Sequence, residues 1–318
     1  MPKDYESPVW DKDRALLDFS VPMDYKRMMT CLDLFAERYP FLSVTTAGTS
    51  LYGRTIPMLR LGEESSHCTV LYVGAHHGME WMTTSLLLRF VNEYCEYYKT
   101  ARQVFSINMQ HLFRSRILCI IPMLNPDGVD IQLHGSDASP IPDRLKIMNG
   151  GSTDFSRWQA NGRGVDLNHN YNAGFAAYKE LEKEAGILSG APTRYSGEYP
   201  ESEPETGMLA NYVRFDGSVR MILTLHTQGE EIYYTSGGTC PPKSKNIARL
   251  LSQLCGYTLS APEGLASYGG LTDWAISTMG IPSFTVECGK GQNPLPVSSF
   301  YSVYTAVREM LFTAPMLI

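Results

Sequence analysis

The sequence predicts an α/β protein: an open, mixed but mostly parallel sheet with helices on both faces. Three observations carry this reading. Four apolar runs, TVLYVGA (69–75), RILCIIPML (116–124), VRMILTLHT (219–227) and PSFTVECG (282–289), are nearly continuous rather than alternating, as strands buried on both faces are. Segments with apolar residues at helical spacing separate them, the pattern of strands joined by crossover helices. Polar groups then stand at the carboxyl ends of all four runs: His76, His77 and Glu80 after the first, Asn125 and Asp127 after the second, His226 after the third and Glu287 at the end of the fourth. That is the edge of such a sheet where ligands bind, and chance explains four occurrences poorly.

Taken in order, residues 1–20 are polar and irregular and read as an N-terminal arm laid on a domain that occupies 21–318. Residues 24–39 carry Met28, Leu32 and Phe35 at helical spacing, and Pro40 ends the helix. LSVTTAG (42–48) and IPMLRLG (56–62), joined through the turn glycine of SLYGRT, read as a hairpin. The run at 69–75 is a buried strand, 82–98 a helix of about four turns, and 116–124 another buried strand, after which Asn125, Pro126 and Gly128 cut off regular structure. Residues 131–165, rich in Gly, Ser and Pro, read as a long excursion that carries side chains to a site. A helix with Ser202 or Glu203 near its start follows at 202–215, then strands at 219–227 and 231–236, and a helix at 244–256 closed by Gly256. A short helix (271–280), a strand (282–289) and a closing helix (298–311) complete the chain, without internal repeats.

In its 318 residues, 43% apolar and 19% charged content are those of a globular protein able to bury a large core. A formal charge of −6 and the absence of a Lys/Arg cluster exclude a nucleic-acid partner. The seven cysteines include no C-x-x-C pair, and several lie inside apolar runs, where a reduced thiol behaves as a small hydrophobe. Together with an N-terminus lacking an apolar signal core, and no apolar run of transmembrane length, this leads to the expectation of a cytoplasmic protein without a membrane partner. Oligomeric state is not legible.

The chemistry starts at LYVGAHHGMEW (71–81), an apolar strand that turns into a helix. His77 and Glu80, at i and i+3, can face one metal ion, and zinc takes nitrogen and oxygen donors about 2.0–2.2 Å away. Alone the spacing is weak, because a histidine at a strand end is often only a hydrogen-bonded residue. His226 in LTLHTQG is the natural third ligand. Core histidines are the commoner case, but a place at a strand end beside Thr227 and Gln228 weakens that reading. Two histidines and one carboxylate leave a position open for water, the catalytic arrangement. Glu287 ends an apolar strand that offers few cations to pair it, which favours a base that takes a proton from such a water and passes it to a leaving amine.

GAHHGMEW, NPDGV, GVDLNHN (164–170), LTLHTQ, GGLTDW and FTVECG, in this order, resemble the signature blocks of zinc carboxypeptidases of the carboxypeptidase A type over roughly residues 22–316. The resemblance implies a mixed eight-stranded sheet with helices on both sides, Zn2+ held by His77, Glu80 and His226, and Glu287 as general base. It also implies that Asn168 helps to hold a substrate carboxylate, with Asp166 and Asn125 bracing loops near the metal. The departures narrow the function. The family usually has Asn-Arg where this chain has Asn168-His169, and histidine cannot reproduce the bidentate grip of arginine on a C-terminal carboxylate. The family's oxyanion-stabilising cation after a Trp is here Gln159 after Trp158; a neutral amide still donates a hydrogen bond, and Arg157 or Arg163 are substitutes. The family tyrosine near GGLTDW aligns with Leu265, with Tyr268 close enough to serve instead.

SGEYPESEPET (196–206) and LHTQGEEIYY (225–234) resemble segments of the bacterial peptidases that cut muropeptides between D-glutamate and meso-diaminopimelate. The function implied is hydrolysis of that γ-D-glutamyl amide through a zinc-activated water. Glu230, Glu231 or Asp273 would pair with the substrate ammonium, and His169, Arg157 or Arg163 with a carboxylate. The alternatives are a general metallocarboxypeptidase acting on peptide C-termini with unusual specificity, and a zinc- or peptide-binding protein without activity. A solvated turn is the plain reading of Glu230 and Glu231, and a helix brace that of Asp273.

Overall fold

The continuous apolar runs form the middle of one eight-stranded sheet in the computed structural model, which describes residues 17–318. In chain order the elements are α1 (Tyr25–Arg38), β1 (Ser43–Thr49), β2 (Thr55–Leu61), β3 (Thr69–Val73), α2 (Met82–Lys99), β4 (Gln103–Val104), β5 (Ile107–Asn108), α3 (Met109–Ser115), β6 (Ile117–Ile121), α4 (Pro126–His134) and α5 (Pro142–Met148). They continue with α6 (Phe175–Glu184), α7 (Pro204–Phe215), β7 (Val219–His226), β8 (Glu231–Tyr233), α8 (Ser244–Cys255), β9 (Thr258–Ser260), α9 (Leu271–Ser277), β10 (Ser283–Glu287) and α10 (Phe300–Thr313). The sheet order is β1-β2-β6-β3-β7-β10-β8-β9. Its centre, β6-β3-β7-β10, is parallel throughout, whereas β1-β2, β2-β6 and β8-β10 are antiparallel.

Alternation along the buried strands divides the core in two. Val70 and Tyr72 of β3, Leu118 and Ile120 of β6, Leu223 and Leu225 of β7 and Phe284 of β10 pack on one side with α1, α2, α8 and α10. Leu71 and Val73, Cys119 and Ile121, and Ile222 face the other side, with α7 and α9. Side chains on successive residues point to opposite faces, so two helical layers are needed to cover strands that are apolar throughout.

Most expected elements stand within a few residues of where the sequence places them. The exception near the site is 125–130, which begins α4 rather than ending regular structure. Asn125 caps the helix, its Oδ1 accepting from the Gly128 N–H at 2.9 Å, and Pro126 occupies the first turn, where a missing N–H costs nothing. Helices α3, α5 and α6 and the short strands β4, β5 and β9 were not expected; none carries a long apolar pattern. The expected arm at 1–20 falls mostly outside the described residues. Of its remainder, Leu17 and Phe19 are buried, and Phe19 stacks on Phe300 with centroids 4.2 Å apart. Among the described residues no helix is long and apolar enough to cross a membrane.

Glu205, in the first turn of α7, is wholly buried. Its Oε1 accepts from the Leu51 N–H at 2.9 Å, and Oε2 has no hydrogen-bond partner among the described residues. Burial, helped by the charges of Asp127 and Glu203, pushes its carboxyl from the ordinary 4.5 up to about 8. The folded state therefore binds this proton more tightly than the unfolded chain. The resulting stability is full below pH 4.5 and is lost as the pH rises toward 8. Glu205→Gln stays neutral throughout. Its unfolding free energy relative to the natural chain should climb between pH 5 and 9, by up to about 1.4 kcal/mol per pKa unit of separation. A denaturant titration showing a pH-independent difference would remove the shifted carboxyl.

Candidate metal centre and its cavity

The parallel centre of the sheet brings the carboxyl ends of β3, β6, β7 and β10 to one edge. Beyond β3 the chain turns sharply, and Gly78 makes the turn possible: a Cβ there would lie 2.3 Å from the Gly128 carbonyl oxygen. The turn is pinned by the Ala75 N–H donating to Thr83 Oγ1 at 2.8 Å and the Gly78 N–H donating to the Gln159 carbonyl at 2.9 Å. This aims His77 and Glu80 at His226, the last residue of β7. The parallel register sets His226 directly beside Glu287 of β10.

His77, Glu80 and His226 are buried and form a group able to hold a metal ion. His77 Nδ1 lies 2.9 Å from Glu80 Oε1, His226 Nδ1 lies 3.1 Å from Glu80 Oε2, and the two Nδ1 atoms are 3.3 Å apart. Bonds of about 2.0–2.1 Å to a tetrahedral zinc would separate neighbouring donors by roughly 3.3 Å, so the set fits zinc in spacing and donor chemistry. Burial opposes the charge of Glu80, but His77 and His226 bring its carboxyl down to about 2. Burial likewise opposes the charge of His77, and the Glu80 and Asp166 carboxylates override it and raise its pKa. For His226 burial prevails and the pKa falls.

Each imidazole is held from behind. His77 Nε2 is 3.1 Å from Asp166 Oδ1, and that buried carboxylate also accepts from the backbone N–H groups of Asn168 (3.2 Å) and Arg194 (3.0 Å). Against the cost of burial, the His77 and His169 charges and these hydrogen bonds hold the Asp166 pKa below the carboxylate range. His226 Nε2 is 3.2 Å from Thr224 Oγ1, which is 3.2 Å from His76 Nδ1, and His76 Nε2 is 3.1 Å from the Tyr171 hydroxyl. His76, buried and stacked on His226, is held well below its usual pKa by burial and by the neighbouring His226 and His77.

A cavity of about 600 Å³ opens over the metal-facing set. Glu287 reaches it from the end of β10. Burial, then the Glu80 charge, pushes its carboxyl well up, and no hydrogen bond from the described residues opposes the shift. Gln159 lines the cavity; its Oε1 accepts from the Thr193 hydroxyl at 2.7 Å, and its Nε2 has no acceptor among the described residues. Asn168 lines it too, its Oδ1 accepting from the Leu271 N–H at 3.1 Å and its Nδ2 left open. His169 is at the wall, with Nδ1 donating to the Tyr268 carbonyl at 2.8 Å and its ring stacked on Tyr178 at 4.1 Å; burial lowers its pKa. Arg157, Leu265 and Asp273 also line the cavity, and burial raises the Asp273 carboxyl.

Four residues expected to contact substrate or the reacting groups lie off the cavity lining. Arg163 is drawn to Glu203, with Nη2 3.0 Å from Oε2. Glu230 is exposed on the turn between β7 and β8. The Tyr268 ring lies over Gly174, and its backbone, at φ +65°, turns its carbonyl to His169 instead. Glu231, also expected there, has both carboxylate oxygens engaged, by the Tyr233 hydroxyl at 2.7 Å and the Ser260 hydroxyl at 3.0 Å. Sequence reasoning missed Arg194, Thr193 and Asn293. Asn293 Nδ2 approaches Glu80 Oε1 at 3.5 Å, and Arg194 stands in a stretch without a motif, its one signal a cation among neutral residues.

Residues 28–310 match the zinc carboxypeptidase family. The chain is 34% identical over 282 residues to gamma-D-glutamyl-L-diamino acid endopeptidase 1 of Lysinibacillus sphaericus, covering 88% of this chain and 69% of that one. It is 23% identical to carboxypeptidase A2 of Rattus norvegicus, over 89% and 64% of the two chains. Among solved structures, thrombin activatable fibrinolysis inhibitor has a similar fold, with a TM-score of 0.71 at 20% identity over 94% of this chain and 77% of that one. Because the family match runs from α1 to α10 and takes in every member of the metal-facing set, the chain belongs to the zinc carboxypeptidase family and is a zinc metallopeptidase.

Proposed function

We propose that the protein hydrolyses the amide joining the γ-carboxyl of D-glutamate to meso-diaminopimelate in cell-wall peptides. His77, Glu80 and His226 hold the zinc, and Glu287 is the general base. The observation that carries the choice of substrate is the exchange at position 169. An imidazole, stacked on Tyr178 and tied to the Tyr268 carbonyl, stands where a family arginine would grip an ordinary peptide C-terminus. The activity for which the Lysinibacillus sphaericus relative is named supports the same reading. Asp273 is the carboxylate that lines the cavity and meets the substrate ammonium, since Glu230 and Glu231 both lie off the wall.

Bound zinc supplies a Lewis acid that polarises the scissile carbonyl and lowers the pKa of a water. Glu287, whose carboxylate has no hydrogen bond among the described residues, takes a proton from the attacking water and delivers it to the departing amine. The Gln159 amide, oriented by Thr193, donates to the carbonyl oxygen as negative charge grows there. Asn168 offers Nδ2 to a substrate carboxylate. Seven free thiols, five of them buried, support a reducing compartment such as the cytoplasm.

When L-Ala-γ-D-Glu-meso-diaminopimelate is incubated with the zinc-loaded protein, mass spectrometry should detect free diaminopimelate. An intact tripeptide alongside cleavage of a blocked C-terminal dipeptide would instead make the protein a general metallocarboxypeptidase, the reading that the open Asn168 amide favours. Glu287→Gln should retain stoichiometric zinc by elemental analysis while kcat falls by at least about 100-fold; an active variant would remove the base.

With Nδ1 of His226 given to the metal, Nε2 must carry the proton and donate to Thr224 Oγ1. The Thr224 hydroxyl then donates to His76 Nδ1, and His76 Nε2 donates to the Tyr171 oxygen, so the chain has a single direction. Thr224→Val breaks it with little change in shape. Zinc affinity, measured by chelator competition, should weaken by about 10–100-fold and recover in Thr224→Ser. Equal affinities in all three proteins would show that the chain does not orient His226.

A further inference from the structure

The exchange at position 169 leaves the cavity without the family's carboxylate-gripping arginine, yet a diaminopimelyl leaving group carries carboxylates. The cations on the cavity wall are therefore the place to look. Arg163 is spent on Glu203. Arg157, exposed as Arg194 is, lines the cavity beside Ser156, whose N–H donates to Asp154 and whose carbonyl accepts from Gln132 Nε2; neither bond reaches the metal-facing set. Arg194 is different. Its backbone N–H donates to Asp166 Oδ2 at 3.0 Å, while the other oxygen of Asp166 holds both His77 and the Asn168 N–H. Its carbonyl accepts from the Tyr178 hydroxyl at 3.0 Å, and Tyr178 is the ring on which His169 stacks. The same ribbon carries Thr193, which orients Gln159, and Pro192, whose carbonyl takes the N–H groups of Gln159 and Ala160 at 2.9 Å.

Arg194 is thus fixed at both its N–H and its carbonyl relative to the metal-facing set. It is held at φ +66°, a backbone that a non-glycine residue rarely adopts and that persists where the surroundings enforce it. No carboxylate of the described residues pairs with its guanidinium, although the cavity it lines is close enough for its charge to be felt at His169. An arginine anchored at its backbone and open at its fork is arranged to bind an anion that arrives from outside.

We propose that Arg194 is a specificity-determining residue: with the open Asn168 amide it binds a free carboxylate on the leaving amino acid, in place of the arginine missing at position 169. The proposal rests on the hydrolytic reading above but not on the identity of the diamino acid. Its test compares kcat/KM of the zinc-loaded protein on the tripeptide with a free α-carboxylate and on the same tripeptide with that group converted to a carboxamide. The natural chain should prefer the acid. Arg194→Gln should lower activity on the acid by about 10–100-fold and leave the amide within a few-fold, collapsing the preference. Arg194→Lys should restore part of it. Equal losses on both substrates would mean a structural role, and a preference that survives in Arg194→Gln but is lost in Arg157→Gln would assign the carboxylate to Arg157; either overturns the proposal. If the natural chain cuts neither tripeptide, the diaminopimelate reading fails by itself. Dissociation constants of benzoyl-Gly-Phe and its carboxamide, measured by calorimetry on the two proteins, then decide Arg194: loss of affinity for the acid alone supports it, and no change refutes it.

Discussion

One buried carboxylate, Asp166, governs the geometry of the site. It accepts from His77 Nε2 and from the backbone N–H groups of Asn168 and Arg194. An ionised carboxylate without solvent is tolerated only when its oxygens are fully used, and here each oxygen is. The same bonds set two distances at once. They orient His77 toward Glu80 and His226, and they fix how far the loop bearing Asn168 and the loop bearing Arg194 stand from that convergence point. Metal-facing geometry and cavity-wall geometry are therefore coupled through a single side chain, which lies outside the cavity's reacting groups.

The second constraint is the register of the parallel strands. Val73 of β3 pairs with Thr224 of β7, and His226 pairs with Glu287 of β10. Thr224 and His226 point to the same face two residues apart, so the hydroxyl that steadies the imidazole comes from the same strand as the imidazole itself. A slip of one residue would turn His226 into the opposite layer. Apolar packing on both faces of the sheet prevents the slip, so the reactive groups borrow their precision from the two cores rather than from bonds among themselves.

This division explains what the sequence could reveal. Strands buried on both faces announce themselves as unbroken apolar runs, and the chemistry at their carboxyl ends followed from topology alone; His77, Glu80, His226 and Glu287 converge as that argument expects. Helix α4 was hidden because Asn-Pro-Asp-Gly reads equally as a turn or as a capped helix start, and only the docking of Gly128 against Gly78 and Ala160 decides it. The walls were less legible. Arg163 and Arg194 look alike in sequence, yet one is neutralised by Glu203, some forty residues away in the chain, and the other is not. Glu230 and Glu231 are adjacent, yet Glu230 ends the turn at φ +57° and reaches solvent while Glu231 opens β8 and meets Tyr233 and Ser260. Such outcomes depend on long-range partners that no local pattern encodes.

The two kinds of residue also evolve under different physical limits. A change at a strand end, where packing is dense and register is shared by several strands, disturbs everything in contact with it. A change on the ribbons at 157–169, 192–194 and 265–273 alters one wall of the cavity and leaves the sheet intact. Replacing an arginine by His169 removes a fork from one ribbon, while the neighbouring ribbon still presents Arg194 on a backbone tied to the same Asp166. On the proposed reading, the chemistry of hydrolysis stays fixed to the sheet while recognition of the leaving group lies with the loops, because one buried carboxylate ties both loops to His77.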